Sequence, residues 1–70
     1  MREYVQSRVQ EKRTQLDITQ QELADAIGVT RQTIFAIEKG RYTPSVALAL
    51  KIADYFDTTV EALFQLEQDQ

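Results

Sequence analysis

The sequence predicts an all-α fold, a compact bundle of five short helices in one domain spanning residues 1–70. Apolar residues recur at spacings of three and four along most of the chain. Threonine, serine and glycine start and stop signals separate these periodic stretches at short intervals. Seventy residues with an apolar fraction of 43% suffice for one small core.

The most regular part of the chain is residues 19–39. Thr19 stands three residues before Glu22, a capping box that satisfies backbone donors at a helix start. Gly28 ends that helix, because a residue without a Cβ enters the left-handed region at little cost. Thr30 is a good N-cap for the next helix. The two predicted helices run from about Gln20 to Ile27 and from about Arg31 to Lys39.

Three further helices surround this pair. The first is predicted from about Tyr4 to Leu16, with Val5, Val9 and Leu16 inward. The fourth runs from about Ser45 to Phe56, with Val46, Ala49, Leu50, Ala53 and Phe56 inward. The fifth runs from Val60 to about Leu66, with Leu63 and Phe64 inward. A second interpretation stays open for the two ends, which could pair as short β-strands because Phe64 and Leu66 alternate.

Composition narrows the classes of function. The chain has no Cys and no His, so it lacks thiolate ligands, the commonest zinc ligand and the commonest general base. We therefore expect that the protein is not an enzyme and that it binds no metal, cofactor or small-molecule substrate. No apolar run approaches ~18 residues, and the first residues carry no signal-peptide pattern. The expectation is a cytoplasmic protein without a membrane partner.

The formal charge of −3 argues against nucleic acid, but its distribution is uneven. Residues 1–18 carry a net charge of +1, residues 19–45 are neutral, and residues 46–70 carry −4. Two short helices joined by a turn with a glycine form a helix-turn-helix unit, whose second helix can enter a DNA major groove. The charge pattern predicts that few phosphates are neutralised per subunit.

The helix predicted from Arg31 presents a polar face. At 100° per residue, Ile34 and Ile37 point to the core, which leaves Gln32, Phe35, Ala36 and Lys39 outward and Arg31 at the flank. Arginine can bond the edge of guanine, glutamine the edge of adenine, and phenylalanine or alanine can contact the thymine methyl group. An outward Phe35 in so small a domain also indicates contact with DNA or a partner.

The chain resembles the phage-repressor-type (lambda-repressor-like, Xre) helix-turn-helix family in its minimal single-domain form. The resemblance covers about residues 9–66 and rests on ITQQELADAIGVTRQTIFAIEKGRYTPSVALALKIADYF followed by TTVEALFQ. It implies a five-helix DNA-binding regulator that usually acts as a dimer. The family's base-reading positions are similar to Arg31, Gln32 and Ala36, with Thr33 close to DNA. The resemblance also implies a structural ion pair between Arg13 and Glu38. The sequence departs from the pattern with Lys12 at a usually apolar position and Asp17 and Asp57 at turn glycines.

Residues around the two central helices are suited to the phosphate backbone. Gln20 lies in a first helical turn, where its side chain and backbone N–H groups can hold a phosphate. Lys39 and Arg41 suit a second phosphate contact, and Thr30 is placed with them. For Tyr42 the core edge and a phosphate contact are both open.

Helix-turn-helix proteins gain specificity by binding two half-sites as a symmetric dimer. Leu48, Ile52 and Tyr55 form an apolar stripe outside the assigned core of the fourth helix, and with Leu66 they are the candidates for the dimer interface. The leading hypothesis is a homodimeric repressor that binds double-stranded DNA at a pseudo-palindromic operator. The alternatives are the antitoxin of a toxin–antitoxin pair and a protein-interaction module that has lost DNA binding.

Overall fold

The computed structural model of the protein describes residues 2–69, and the side chains of residues 3–68. Five helices are joined to a two-stranded antiparallel sheet made by the two ends of this range, so the fold is mixed and not purely all-α. The longest helix among the described residues has ten residues, too short to cross a membrane. The elements are β1 (Arg2–Ser7), α1 (Val9–Gln15), α2 (Gln20–Ile27), α3 (Arg31–Glu38), α4 (Val46–Tyr55), α5 (Val60–Leu63) and β2 (Phe64–Asp69).

Hydroxyl caps fix where four of the helices begin. The side chain of each N-cap accepts a hydrogen bond from the backbone N–H three residues later, at 3.0–3.2 Å. The capping box between Thr19 and Glu22 is complete, because the Glu22 carboxylate also accepts from the Thr19 N–H at 2.8 Å. The N-caps are Thr19, Thr30, Ser45 and Thr59.

Four residues in the left-handed region close turns between the helices. Gly28 and Gly40 have φ angles of 81° and 73°, and Asp17 and Asp57 have φ angles of 58° and 55°. Aspartate enters this region more easily than most residues, though not as freely as glycine. The two aspartates therefore adopt the backbone conformation that glycine would adopt in these turns, at some cost in stability.

The helix predicted from Tyr4 begins five residues later, at Val9. Residues 2–7 instead pair with residues 64–69, with Val5 opposite Leu66. The Ser7 hydroxyl accepts from the Val9 N–H at 3.2 Å and marks the change from strand to helix. The prediction of a helix through residues 4–8 is wrong, and the alternative interpretation, in which the two ends pair as short strands, is confirmed. The four-residue spacing of Val5 and Val9 fits both a helix and a strand followed by a helix.

Two other predicted features differ from the structure, each for its own reason. The fifth helix ends at Leu63 and not at Leu66, since the chain continues as β2. Leu16 was expected inward but is half exposed, because it follows the last turn of α1 and precedes the left-handed Asp17.

The buried face of α4 is rotated by roughly 50°, about half a residue, from the predicted one. Val46 and Leu50 were expected inward, but they are 77% and 55% exposed. Ile52, expected at a dimer interface, is fully buried in the core. Lys51 and Asp54 lie outward, and the direction opposite them on a helical wheel is the face that packs. The buried residues of this face are Ala49, Ile52, Ala53 and Phe56.

Candidate nucleic-acid interface

The turn between α2 and α3 holds the two helices as one unit. Gly28 and Val29 both donate their backbone N–H groups to the carbonyl oxygen of Ala24, at 2.9 and 3.0 Å. Val29 then packs against the core as the chain enters α3. This closure directs Ile34 and Ile37 inward, where both are buried, and leaves the opposite face of α3 to solvent.

All five residues expected to read bases lie on α3 and are accessible to solvent to some degree. Arg31 and Gln32 are exposed in the first turn, and Phe35 is 39% exposed in the next. Thr33 and Ala36 are partly exposed. The small Ala36 leaves room for a base edge or a methyl group to approach the helix backbone.

Tyr42 belongs with these residues. The residue is 46% exposed, which favours a place on the surface over the core edge. The left-handed Gly40 lets the chain turn back, and the Arg41 N–H donates to the Ala36 carbonyl oxygen at 2.9 Å. Tyr42 consequently lines an open depression of about 330 Å³ beside α3. The other residues of this depression are Thr30, Gln32, Thr33 and Ala36.

The residues expected at phosphates flank the same face. The Lys39 Nζ atom lies 5.6 Å from the centroid of the Phe35 ring, so the cation is held over an aromatic face. Arg41 is exposed in the turn after α3. Thr30 uses its hydroxyl as the cap of α3 and lies 3.0 Å from the Thr33 hydroxyl.

The ion pair between Arg13 and Glu38 is present and is nearly removed from solvent. The Arg13 guanidinium donates to both carboxylate oxygens of Glu38, at 2.7 and 3.3 Å, and to the Ile18 carbonyl oxygen at 2.8 Å. The two side chains are 12% and 1% exposed. Glu38 also accepts from the side-chain amide of Gln20 at 2.9 Å. Arg13 therefore joins α1 to the start of α2 and to the end of α3.

Gln20 has protein partners for both ends of its side-chain amide. Besides the bond to Glu38, its oxygen lies 3.5 Å from a guanidinium nitrogen of Arg31. These contacts connect the beginning of α2 with the beginning and the end of α3. Nothing in the sequence periodicity indicated this link, since the two partners lie 11 and 18 residues from Gln20.

The surface charge of α3 and its following turn differs from the formal charge of the segment. Within residues 30–45 the only acid is Glu38, which is buried against Arg13. The exposed charges of this stretch are therefore all positive: Arg31, Lys39 and Arg41. The neutral count for residues 19–45 therefore does not describe the charge of this face.

Comparisons with known proteins agree with this geometry. The helix-turn-helix family model matches residues 9–63. An uncharacterized HTH-type transcriptional regulator of Methanocaldococcus jannaschii is 52% identical over 54 residues, covering 77% of this chain and 82% of the relative. The cryptic phage CTXphi transcriptional repressor RstR of Vibrio cholerae is 32% identical over 57 residues, covering 81% of this chain and 51% of the relative.

A similar solved structure is the restriction-modification controller protein C.AhdI from Aeromonas hydrophila. Its TM-score is 0.72 with 30% sequence identity, and the match covers 77% of this chain and 82% of that one. The similarity in sequence and in structure therefore extends over most of the domain.

Proposed function

Because the chain belongs to the helix-turn-helix family of DNA-binding transcriptional regulators, we propose that it is a homodimeric repressor that reads a pseudo-palindromic operator. The observation that carries the proposal is the exposed outward face of α3 together with the turn that follows it, where the exposed charges, Arg31, Lys39 and Arg41, are all positive. A repressor of this kind covers promoter DNA and excludes polymerase. Because it acts on the genome, we propose that it works in the cytoplasm.

In this proposal α3 lies in the major groove and its first turn reads bases. Arg31 donates to the O6 and N7 atoms of a guanine, and Gln32 bonds the N6 and N7 edge of an adenine. Phe35 and Ala36 contact thymine methyl groups, and Thr33 lies close enough for a further contact. Tyr42 lines the depression beside these residues and adds its ring to the same surface.

Phosphate contacts orient α3 on either side of the groove. Lys39 and Arg41 bind one phosphate beyond the end of the helix. Gln20 and Thr30 bind another near the starts of α2 and α3, because the start of a helix attracts an anion. These contacts are independent of sequence, so they set affinity and register and not base preference.

Base reading is tested with Arg31→Ala and Gln32→Ala on an operator obtained by in vitro selection. Each variant should lose about 1–3 kcal/mol of specific binding and relax the preference at one or two positions per half-site. Gln10→Ala, in the exposed face of α1, is the matched control and should bind as wild type does. Unchanged affinity and selectivity in both α3 variants would show that α3 is not the reading helix.

The dimer interface proposed here differs from the stripe predicted on α4. Ile52 is buried in the core and Leu48 is partly buried against it. Tyr55 is 41% exposed, and its ring centroid lies 5.4 Å from that of Phe56. Leu66 is 65% exposed on β2. The larger exposed apolar surface lies on the other flank of α4, beside an open groove of about 910 Å³. We name this the apolar groove; its apolar lining includes Val5, Pro44, Val46, Leu50, Val60 and Phe64.

We propose that a second copy of the chain covers the apolar groove. Val46 and Leu50 project beside it with 77% and 55% of their surface exposed, which is unusual for adjacent aliphatic residues on a small monomer. The groove includes no residue of α2 or α3, so a partner seated there leaves the reading face free. A twofold pair also supplies the two reading helices that successive half-sites about 34 Å apart require.

Leu50→Glu tests this interface, because a charge buried between two copies is strongly unfavourable. The variant should be a folded monomer at micromolar concentration in analytical ultracentrifugation and should lose operator affinity while keeping weak non-specific binding. Leu16→Glu is the matched control, since Leu16 is 49% exposed and lies outside the groove. If Leu50→Glu remains a dimer, the interface lies elsewhere.

A further inference from the structure

We propose that the depression beside α3 binds the C5-methyl group of a pyrimidine, so that Tyr42 takes part in reading the operator and methylation of a cytosine at this position strengthens binding. The proposal rests on the base-reading role of α3 proposed above and makes it more specific. It adds to the reading surface a residue that lies beyond the end of α3.

The lining of this depression is uncharged and mostly carbon. Ala36 contributes only a methyl group, and Tyr42 contributes an aromatic ring. The hydroxyl groups of Thr30 and Thr33 lie 3.0 Å apart, so they hydrogen-bond each other. Gln32 supplies the one amide of the lining. A ligand in the depression therefore meets a mostly apolar surface with an amide beside it.

Cations surround this uncharged surface. Arg31, Lys39 and Arg41 are exposed on α3 and in the turn after it, and none of them lines the depression. Cations contact phosphates and polar base edges, so the depression has to receive a different part of the DNA when α3 lies in the major groove. The apolar group that base pairs present in this groove is the C5-methyl group of a pyrimidine. The depression matches this group in polarity.

The turn after α3 places Tyr42 against this surface. The Arg41 N–H donates to the Ala36 carbonyl oxygen at 2.9 Å. The N–H of the left-handed Gly40 donates to the Ile37 carbonyl oxygen at 3.1 Å. These bonds order the backbone that carries the tyrosine ring before DNA is present, so less conformational entropy is lost on binding.

The size of the depression suits the edge of a base. Its volume of about 330 Å³ is far larger than one methyl group, so the edge of the pyrimidine ring enters together with its methyl group. Gln32 lines the same depression, and we have proposed that it bonds an adenine. The methyl group therefore belongs to the same base pair as that adenine or to an adjacent one. Thymine carries this group, and 5-methylcytosine carries it at the same ring position.

The test compares operators that differ by single methyl groups. Deoxyuridine replaces each thymine of the selected operator in turn, because uracil lacks only the C5-methyl group. At the thymine that the depression binds, the replacement should weaken wild-type binding about fourfold in one half-site and about sixteenfold in both, the loss from exposing one methyl group or two. Cytosine and 5-methylcytosine at this position test the second source of the group, and the methylated operator should bind about fourfold more tightly per half-site.

Protein variants show whether the depression causes these differences. Tyr42→Ala removes the ring and Ala36→Val fills the space, so each should bring the thymine-to-uracil and methylated-to-unmethylated affinity ratios at this position close to one. Ala36→Val leaves the turn after α3 unchanged and serves if Tyr42→Ala folds poorly. Tyr42→Phe keeps the ring and should keep both ratios. Tyr4→Ala is the matched control, because Tyr4 is an exposed tyrosine on β1 outside the depression.

Two results would overturn the proposal. The first is that both ratios keep their wild-type values in Tyr42→Ala and in Ala36→Val at every thymine of the operator. The second is that Tyr42→Phe weakens binding to all operators alike and as much as Tyr42→Ala does, which would show that the tyrosine hydroxyl bonds a phosphate. The proposed function fails separately, if Arg31→Ala and Gln32→Ala leave the selectivity unchanged.

Discussion

The two halves of the Arg13–Glu38 ion pair should differ in what their removal costs. In Arg13→Met the carboxylate of Glu38 stays behind at 1% exposure, with only the Gln20 amide to bond. In Glu38→Leu the guanidinium of Arg13 stays behind at 12% exposure and keeps its bond to the Ile18 carbonyl oxygen. The arginine has a long stem and a route to water, whereas the glutamate has neither. Arg13→Met is therefore the more damaging change.

The size of the effect follows from the burial. Removing one partner of a buried ion pair costs about 3–5 kcal/mol, and we assign that range to Arg13→Met. We expect about 1–3 kcal/mol for Glu38→Leu, the cost of one poorly satisfied polar group. A domain of this size is stable by only about 4–10 kcal/mol, so Arg13→Met would remove a third or more of the total. The double variant leaves no unpaired charge, although the Ile18 carbonyl oxygen and the Gln20 amide each lose a partner, so it should be more stable than Arg13→Met.

Urea denaturation followed by far-UV circular dichroism at pH 7 measures all four proteins. Protein concentration must be held constant, because dimerisation adds to the apparent stability. Equal m-values would show that each variant unfolds from a comparable state. If both single variants lose less than about 1 kcal/mol, the pair behaves as a solvated surface contact and the buried-charge reasoning is refuted. Equal losses of several kcal/mol would refute the asymmetry alone.

Three smaller predictions use other parts of the structure. Lys39→Ala and Arg41→Ala should each lower the affinity for all DNA sequences alike. Each should also reduce the slope of log K against log salt by up to about one unit per subunit. An altered base preference with an unchanged slope would contradict the phosphate assignment. Asp57→Gly should stabilise the fold by up to about 1 kcal/mol in thermal unfolding, because Asp57 has a φ of 55° and glycine adopts this backbone conformation without strain. A loss of stability would show that the Asp57 side chain stabilises the fold by more than the backbone strain costs. Hydrogen bonds from the backbone and side chain of Thr19 lower the pKa of Glu22 below its ordinary 4.5. Its stabilising contribution is therefore complete above pH 4.5 and is lost as pH falls through the lower folded-state pKa, so Glu22→Gln should flatten the acid limb of the stability curve.

The central helices could be predicted from the sequence because residues close to each boundary determine where the helix begins and ends. The predicted bounds of α2, Gln20–Ile27, match the structure, and α3 ends one residue earlier than expected. A threonine hydroxyl at each start and the left-handed Gly28 act within three residues of the boundary they set. Signals of that range are visible in a single sequence.

The sequence offered the strand pairing of the chain ends only as an alternative to a helix, because the pairing that decides between them is long-range. Val5 becomes part of a strand by virtue of Leu66, sixty-one residues away. Local periodicity reads the same residues as the start of a helix. A two-stranded sheet is marginal alone, so β1 and β2 depend on their packing against the helices as well.

The face of α4 was mispredicted for a different reason. Leucine, isoleucine, valine and alanine surround most of this helix, so apolar spacing alone allows two faces. The charged Lys51 and Asp54 were the better guide, since the residues opposite them are the ones that are buried. This error also displaced the proposed dimer surface, because Ile52 was assigned to the interface while Leu50 was assigned to the core.

The positions of the charges in the structure explain how a protein with a formal charge of −3 can bind DNA. Three exposed cations lie on α3 and its following turn, and the C-terminal acids lie on α4, α5, β2 and the turn that leads into α5. A dimer would present six such cations, so its salt slope should be no steeper than about −5. Acidic residues elsewhere weaken every DNA complex in which the wrong surface faces the phosphates, and base contacts add about 1–3 kcal/mol each whatever the net charge. The ratio of specific to non-specific affinity determines how fully the operator is occupied in a genome. A mildly acidic regulator raises this ratio because its non-specific affinity for DNA is lower.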